Sequence, residues 1–280
     1  IIEDVTGQTY HDYMREHILE PLAMGRSGFD IGWLLSRANV TALYYKDEDK
    51  EIRRSVNWQE APPFEPCGWL RSTVSDLANY LRMYTGDGVF GARRLLSAGG
   101  VRTMRDRHFQ YSRDRHYGYG LSNLSGYHGV TLAEHSGGLK GVSSNMGYVP
   151  EEKIGVAVLT NLSGAPSGKI WLGAINLLLG LPVETPRSVY RKDPWKPEEL
   201  AARTGRFKSG EGADITISAH DGKLIATADK EKYEIFRDSA EFGVVTMDGI
   251  DSEVRFRFDD SGKLWATAWG SRIIQKTGEA

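Results

Sequence analysis

Apolar residues along the chain switch from a helical period to an alternating one. From Thr9 to Leu22, the residues Tyr10, Tyr13, Met14, Ile18 and Leu22 recur at helical spacing, and Pro21 ends that pattern. Before it, Ile1 to Gly7 reads as the end of a helix closed by a C-cap glycine. Ser72-Thr73-Val74-Ser75-Asp76 predicts a helix start, with a capping hydroxyl and Asp76 near the positive end of the dipole. Leu77, Tyr80, Leu81 and Tyr84 carry that helix to Gly86, and a shorter helix begins at Ser97. Tyr117 to Leu124 alternates glycine with larger residues, which predicts a strand in close backbone contact. Three more strands are predicted over Val130–Glu134, Ser143–Val149 and Ile154–Asn161, with Pro150-Glu151-Glu152-Lys153 turning between the last two. An apolar helix from Gly168 to Leu179 is expected to cover that sheet.

The stretch from Pro182 to Pro197 holds four prolines and no period, and reads as a linker. Beyond it the pattern is strand after strand. Gly222-Lys223-Leu224-Ile225-Ala226-Thr227-Ala228 is echoed by Gly262-Lys263-Leu264-Trp265-Ala266-Thr267-Ala268, two hairpins of one kind. The predicted organisation is an α+β domain over residues 1–181, the linker 182–197, and a small antiparallel barrel-like domain over 198–280. In the first, helices flank an antiparallel sheet.

Bulk composition narrows the function classes. At 280 residues, 40% hydrophobic, the chain can bury a sizeable core, and its formal charge of −2 gives no overall footprint for nucleic acid or an anionic membrane. The longest apolar run, Ile170 to Leu181, is too short and glycine-broken to span a bilayer. Cys67 is the single cysteine, so no intrachain disulfide forms; it is expected as a buried, inert thiol. The mixed charges from Lys46 to Arg54 predict a solvated hairpin tip or loop.

No metal or cofactor is predicted. His11 and His17 stand six apart, off a common helical face, while His108, His116, His128 and His135 lack acidic or cysteine companions at ligand spacing. Gly86-Asp87-Gly88 and Gly118-Tyr119-Gly120 lack the further residues a phosphate cradle requires. The segment that carries chemistry is Glu134-His135-Ser136-Gly137-Gly138-Leu139-Lys140-Gly141. Consecutive glycines at a strand edge admit a ligand or another backbone, and His135 offers it a donor or acceptor. A glycine-rich turn with a surface histidine would look the same.

Order resolves that ambiguity. Val5-Thr6-Gly7, Pro21-Leu22-Ala23-Met24, Gly68-Trp69-Leu70-Arg71-Ser72-Thr73-Val74-Ser75-Asp76-Leu77, Tyr117-Gly118-Tyr119-Gly120, His135-Ser136-Gly137-Gly138 and Val158-Leu159-Thr160-Asn161 form a series. Over about residues 1–180 this series resembles the class C β-lactamase and penicillin-binding-protein-like serine hydrolases, a family that includes esterases and D-amino-acid peptidases. The resemblance implies a β-lactamase/transpeptidase-like fold and a Ser nucleophile in S-x-x-K, a Tyr in Y-x-N, and a K-T-G or H-x-G triplet. His135-Ser136-Gly137 matches the triplet, with His for Lys. By that resemblance His135 and Gly138 are catalytic, the Gly138 N–H forming half an oxyanion hole, and Ser136 and Gly137 lie on the substrate-binding strand.

Two family elements are missing: the sequence contains neither S-x-x-K nor Y-x-N. Ser143-Ser144-Asn145 follows the triplet instead of preceding it, and reads as strand. The expectation is that both elements lie upstream of Ile1, on the same protein or a separate chain, leaving the fold incomplete and this chain inactive alone. The implied partners are that segment and a small amide, ester or lactam; an esterase or peptidase suits the weaker positive charge of His135. The rival is a non-catalytic binding or partner subunit. The resemblance alone suggests a periplasmic or secreted protein. Residues 198–280 resemble β modules appended to such hydrolases, with Thr204-Gly205-Arg206-Phe207 as their opening turn. Loops around residues 40–67 carry no specificity code.

Overall fold

A computed structural model describes residues 1–56, 58, 60–228, 231–247, 250–269 and 272–280, so positions 57 and 59 of the 40–67 loops lie outside the described residues. The chain forms two compact units: Ile1–Phe109 with His116–Arg187, and Gln110–Arg115 with Ser188–Ala280.

Local capping sets the helices of the first unit. Helix α1 (Ile2–Thr6) is closed by Gly7 at φ 71, a left-handed conformation that glycine adopts without strain. Thr9 caps α2 (Tyr10–Met14) by accepting the Asp12 N–H. The chain then widens into a π turn over Arg15–Leu19, where the Glu20 N–H reaches back five residues to the Arg15 carbonyl, one residue before Pro21. After α3 (Ile31–Leu35), strands β1 (Tyr44–Lys46) and β2 (Ile52–Arg54) pair as a ribbon around the charged stretch. Helix α4 (Val74–Thr85) starts where the Thr73 hydroxyl accepts the Asp76 N–H. Strands β3 (Val89–Phe90) and β4 (Arg93–Arg94) make a second ribbon, and Ser97 caps α5 (Ala98–Arg105) through the Gly100 N–H.

One antiparallel sheet, in the order β10-β9-β8-β7-β6-β5, organises the unit. Its strands are β5 (Phe109–Gln110), β6 (Arg115–Tyr117), β7 (Ser122–Tyr127), β8 (Val130–Leu139), β9 (Val142–Val149) and β10 (Ile154–Thr160). Two differences from the sequence reading matter. The stretch 117–124 is a strand end, a turn and a new strand: Gly120 takes φ 70, and a Cβ at Gly118 would sit 2.2 Å from the Met104 carbonyl oxygen. Strand β8 also runs five residues past Glu134, so His135-Ser136-Gly137-Gly138 is extended chain and not a turn.

One sheet face packs Ala133 and Tyr148 with Leu77, Leu81 and Tyr84 of α4 and Val101 of α5. The other packs Leu132 and Val149 with Trp171, Leu172 and Ile175 of α6 (Ser167–Leu178). The unit therefore is α+β, an antiparallel sheet between helices.

In the second unit, α7 (Pro197–Leu200) precedes a closed antiparallel barrel. Its strands are β11 (Gly205–Lys208), β12 (Asp214–His220), β13 (Lys223–Ala228), β14 (Glu231–Arg237), β15 (Phe242–Met247), β16 (Ile250–Phe258), β17 (Leu264–Trp269) and β18 (Arg272–Gly278), and β18 pairs back onto β11. Phe207, Ile217, Leu224, Ile235 and Phe256 fill it, joined by Trp195 from the proline-rich stretch. The Arg203 guanidinium lies 4.6 Å from the Trp195 ring and donates to the carbonyls of Glu199 and Ala240. Segment 110–115 is held here by two buried carboxylates. The Ser112 hydroxyl and Arg113 N–H donate to Glu253, and the Arg113 guanidinium pairs with Asp238 at 2.5 Å.

Candidate active site

Strands β8 and β9 are joined by the two-residue turn Lys140-Gly141, with Leu139 paired to Val142. A two-residue turn makes that closing pair a hydrogen-bonded one, and such pairs alternate along an antiparallel ladder. His135, Gly137 and Leu139 thus bond to Met146, Ser144 and Val142, while the N–H and C=O of Ser136 and Gly138 point away from β9. On that far side β7 ends early: its last pair with β8 is Ser122 with Glu134. Among the described residues, strand β8 is therefore laddered on one side only from His135 to Leu139, and its other edge presents the Gly138 N–H.

The glycines make this edge accessible. A Cβ at Gly137 would meet the Ser144 hydroxyl at 2.6 Å, whereas at Gly138 it would meet nothing within 4 Å. Beyond the turn the hairpin is fixed by Leu43, which fills the space where a Gly141 Cβ would project, and by Lys140, whose ammonium sits 4.2 Å over the Tyr45 ring.

His135 is exposed, and strand alternation puts it with Ala133 and Met146 on the α4 side of the sheet. Its Nδ1 lies 2.7 Å from the Ser136 carbonyl oxygen and its Nε2 lies 2.8 Å from the Tyr117 hydroxyl. A carbonyl only accepts, so in the neutral ring Nδ1 carries the hydrogen and Nε2 accepts from Tyr117. The two rings meet edge to face at 5.9 Å. Tyr117 is brought there because Gly118 lets the chain run against Met104, and the Tyr119 N–H donates to the Met104 carbonyl at 2.8 Å.

Alternation sends the Ser136 side chain to the α6 side, so this residue reaches the edge through its carbonyl and not its hydroxyl. Beneath it, the buried Glu134 carboxylate accepts from Asn145 at 2.9 Å and from Arg187 at 2.7 Å. Arg187 also donates to the Gly168 carbonyl and stands 5.6 Å from the Trp171 ring. One guanidinium thus ties β8 to the start of α6. On the opposite face, the stacked rings of Tyr84 and Tyr148 are 5.0 Å apart; burial pushes Tyr148 up to about 12 and Tyr84 further still. Both phenols belong to the core and stay uncharged across ordinary pH.

The structure thus brings His135, Ser136, Gly137 and Gly138 together on one strand end. It adds Tyr117, Glu134, Asn145 and Arg187, which the sequence reading did not nominate. The spacing of Tyr117 from the triplet, across a whole intervening strand, gives no local signal; the tight Gly118-Tyr119-Gly120 turn was the available hint. Cys67 is exposed, contrary to the buried thiol expected, because it ends the 3-10 helix Pro62–Cys67, which buries none of its residues. Among the described residues no three His, Cys, Asp or Glu side chains converge as a metal site would require.

A family model described as Beta-lactamase matches residues 1–179. The unguisins hydrolase ungD of Aspergillus violaceofuscus is 23% identical over 284 residues, covering 83% of this chain and 50% of that protein. The octameric penicillin-binding protein homologue from Pyrococcus abyssi is 27% identical with a TM-score of 0.58, over 98% of this chain and 62% of its own. SurE is 20% identical with a TM-score of 0.71, over 99% of this chain and 65% of its own, a likeness of fold that includes the barrel. The chain thus spans half to under two-thirds of the length of these relatives. The match over 1–179, together with the order of strands and helices around the His135 edge, establishes that this chain belongs to the beta-lactamase family.

Proposed function

We propose that this chain supplies one wall of a serine acyl-hydrolase site that works through an acyl-enzyme. The acyl donor is an amide, ester or lactam. The observation that carries the reading is the one-sided edge of β8, which aims the Gly138 N–H outward beside the paired rings of His135 and Tyr117. The nucleophilic Ser, and the Lys and Tyr that move its proton, come from a segment outside this sequence, which holds no S-x-x-K and no Y-x-N.

In this mechanism the Ser hydroxyl attacks the carbonyl carbon, and the carbonyl electron pair moves onto oxygen. The Gly138 N–H donates to that oxyanion, a contribution of about 3 kcal/mol for one well-aimed donor. Collapse expels the amine or alkoxide and leaves the acyl-enzyme, which water then hydrolyses. Substrate main chain lies along the open edge at Ser136, Gly137 and Gly138. His135, its Nδ1–H held by the Ser136 carbonyl, keeps Nε2 and the Tyr117 hydroxyl toward the substrate. The name of the Aspergillus relative supports hydrolysis as the reaction class.

The test uses a fluorophosphonate label and a p-nitrophenyl ester on this chain alone and on the chain joined to a family segment bearing S-x-x-K and Y-x-N. The expected result is labelling and turnover only in the joined protein, on the added Ser, with turnover reduced by His135→Ala. Labelling of this chain alone on one of its own serines would place the nucleophile wrongly. Labelling of neither would leave the binding or partner subunit as the reading.

A further inference from the structure

The bulk charge conceals a strong local asymmetry. Between Tyr80 and Phe109 lie six arginines, at 82, 93, 94, 102, 105 and 107, against Asp87 and Asp106, with no lysine and no glutamate. That is a net +4 in a chain of −2, so the remaining residues carry −6. Arg82 lies near the end of α4, Arg93 and Arg94 on β4, Arg102 and Arg105 on α5 and Arg107 just after it, and Tyr84, Phe90, Leu96 and Met104 join these segments in one apolar cluster. None of the six forms an ion pair with a carboxylate among the described residues; Arg94 donates instead to the carbonyls of Asp87 and Leu96. Beside the C-terminal end of α5 two aromatic side chains stand in solvent, Phe109 at 53% and Tyr119 at 60% exposure. Tyr119 is fixed there: its N–H donates to the Met104 carbonyl, and its ring packs against His108 at 4.4 Å.

We propose that this face docks on an anionic phospholipid surface. Guanidinium groups without internal counter-ions pair with lipid phosphates, while Phe109 and the Tyr119 ring edge enter the headgroup layer. A single-stranded nucleic acid is the poorer fit, because one side of the Tyr119 ring is already taken by His108 at a tilted angle that leaves no two-sided stacking platform. Each basic residue near such a surface strengthens binding roughly fivefold, so removing three weakens it roughly 100-fold.

The test is sedimentation of the full chain with vesicles of pure phosphatidylcholine and of phosphatidylcholine with 30% phosphatidylglycerol. Binding is expected only to the anionic vesicles, with loss at 0.5 M salt. The variant Arg93→Gln/Arg102→Gln/Arg107→Gln, at exposed positions, should fold as the parent by circular dichroism and lose binding roughly 100-fold. Phe109→Ser should weaken binding without changing its salt dependence. Absence of binding to anionic vesicles overturns the proposal, as does equal binding by the triple variant. Retention on heparin without vesicle binding also overturns it, in favour of a soluble polyanion.

Discussion

Replacing Arg187 by Leu isolates the ion pair beneath the β8 edge. The Arg187–Glu134 contact is 2.7 Å, with the side chains 21% and 10% exposed, so both groups are largely withdrawn from water. In Arg187→Leu the Glu134 carboxylate keeps, among the described residues, the Asn145 amide at 2.9 Å. Removing one member of a buried pair costs about 3–5 kcal/mol, and the partial exposure of Arg187 lets water recover part of that, leaving about 2–3 kcal/mol. Glu134→Gln keeps an acceptor and removes the charge. The double variant should therefore recover roughly 1–2 kcal/mol relative to the sum of the singles. A global melt would mix two compact units, so the assay is native-state hydrogen exchange read on peptides from β8 and β9. A loss below about 0.5 kcal/mol in Arg187→Leu, or strict additivity in the double, would refute the reasoning.

The one-sided ladder predicts a period of two in amide exchange: with serine and glycine labelled, Gly137 should be protected while Ser136 and Gly138 exchange fast. Equal protection at all three would show the far edge to be covered. Gly118→Ala should cost about 2–4 kcal/mol and displace Tyr117, because its Cβ would meet a backbone oxygen at 2.2 Å; unchanged native-state exchange protection in α5 and β7 would contradict that contact. Burial raises the Glu253 carboxyl above the ordinary glutamate range, the donors Ser112 and Arg113 offsetting only part of it. A raised carboxyl favours the folded state when protonated, so its contribution is full below the unfolded value and is lost as pH rises through the folded one. Glu253→Gln should flatten the urea stability profile on the alkaline side of the usual carboxylate range, and an unchanged slope between pH 4 and 7 would count against it.

What could be read from the chain was what local chemistry decides. Thr73 and Ser97 start their helices because a hydroxyl three residues before an N–H is a sequence-local device, and both helices lie where expected. Gly137 and Gly138 were ambiguous from their local sequence alone, since paired glycines commonly mark a turn; in the structure they lie within β8, where a Cβ at Gly137 would meet the Ser144 hydroxyl and the space at Gly138 stays clear. The barrel was partly legible: two echoing hairpins pointed to it, but closure rests on β11 meeting β18, from opposite ends of the unit. Tyr117 meeting His135, and Arg187 reaching Glu134, join positions 18 and 53 residues apart, and no period or motif encodes such meetings.

The closure of that barrel bears on how this protein fails as well as how it works. A ring of eight strands has no edge strand among the described residues, so another chain finds no whole strand edge to copy. The six-stranded sheet has two ends, and among the described residues β10 pairs over its whole length with β9 alone. Under stress, strand exchange and fibril growth should begin at Ile154–Thr160, whose sequence Ile-Gly-Val-Ala-Val-Leu-Thr carries no charge to deter a partner. A lysine at Leu159, an exposed position near the end of that strand, is the simplest gatekeeper against it.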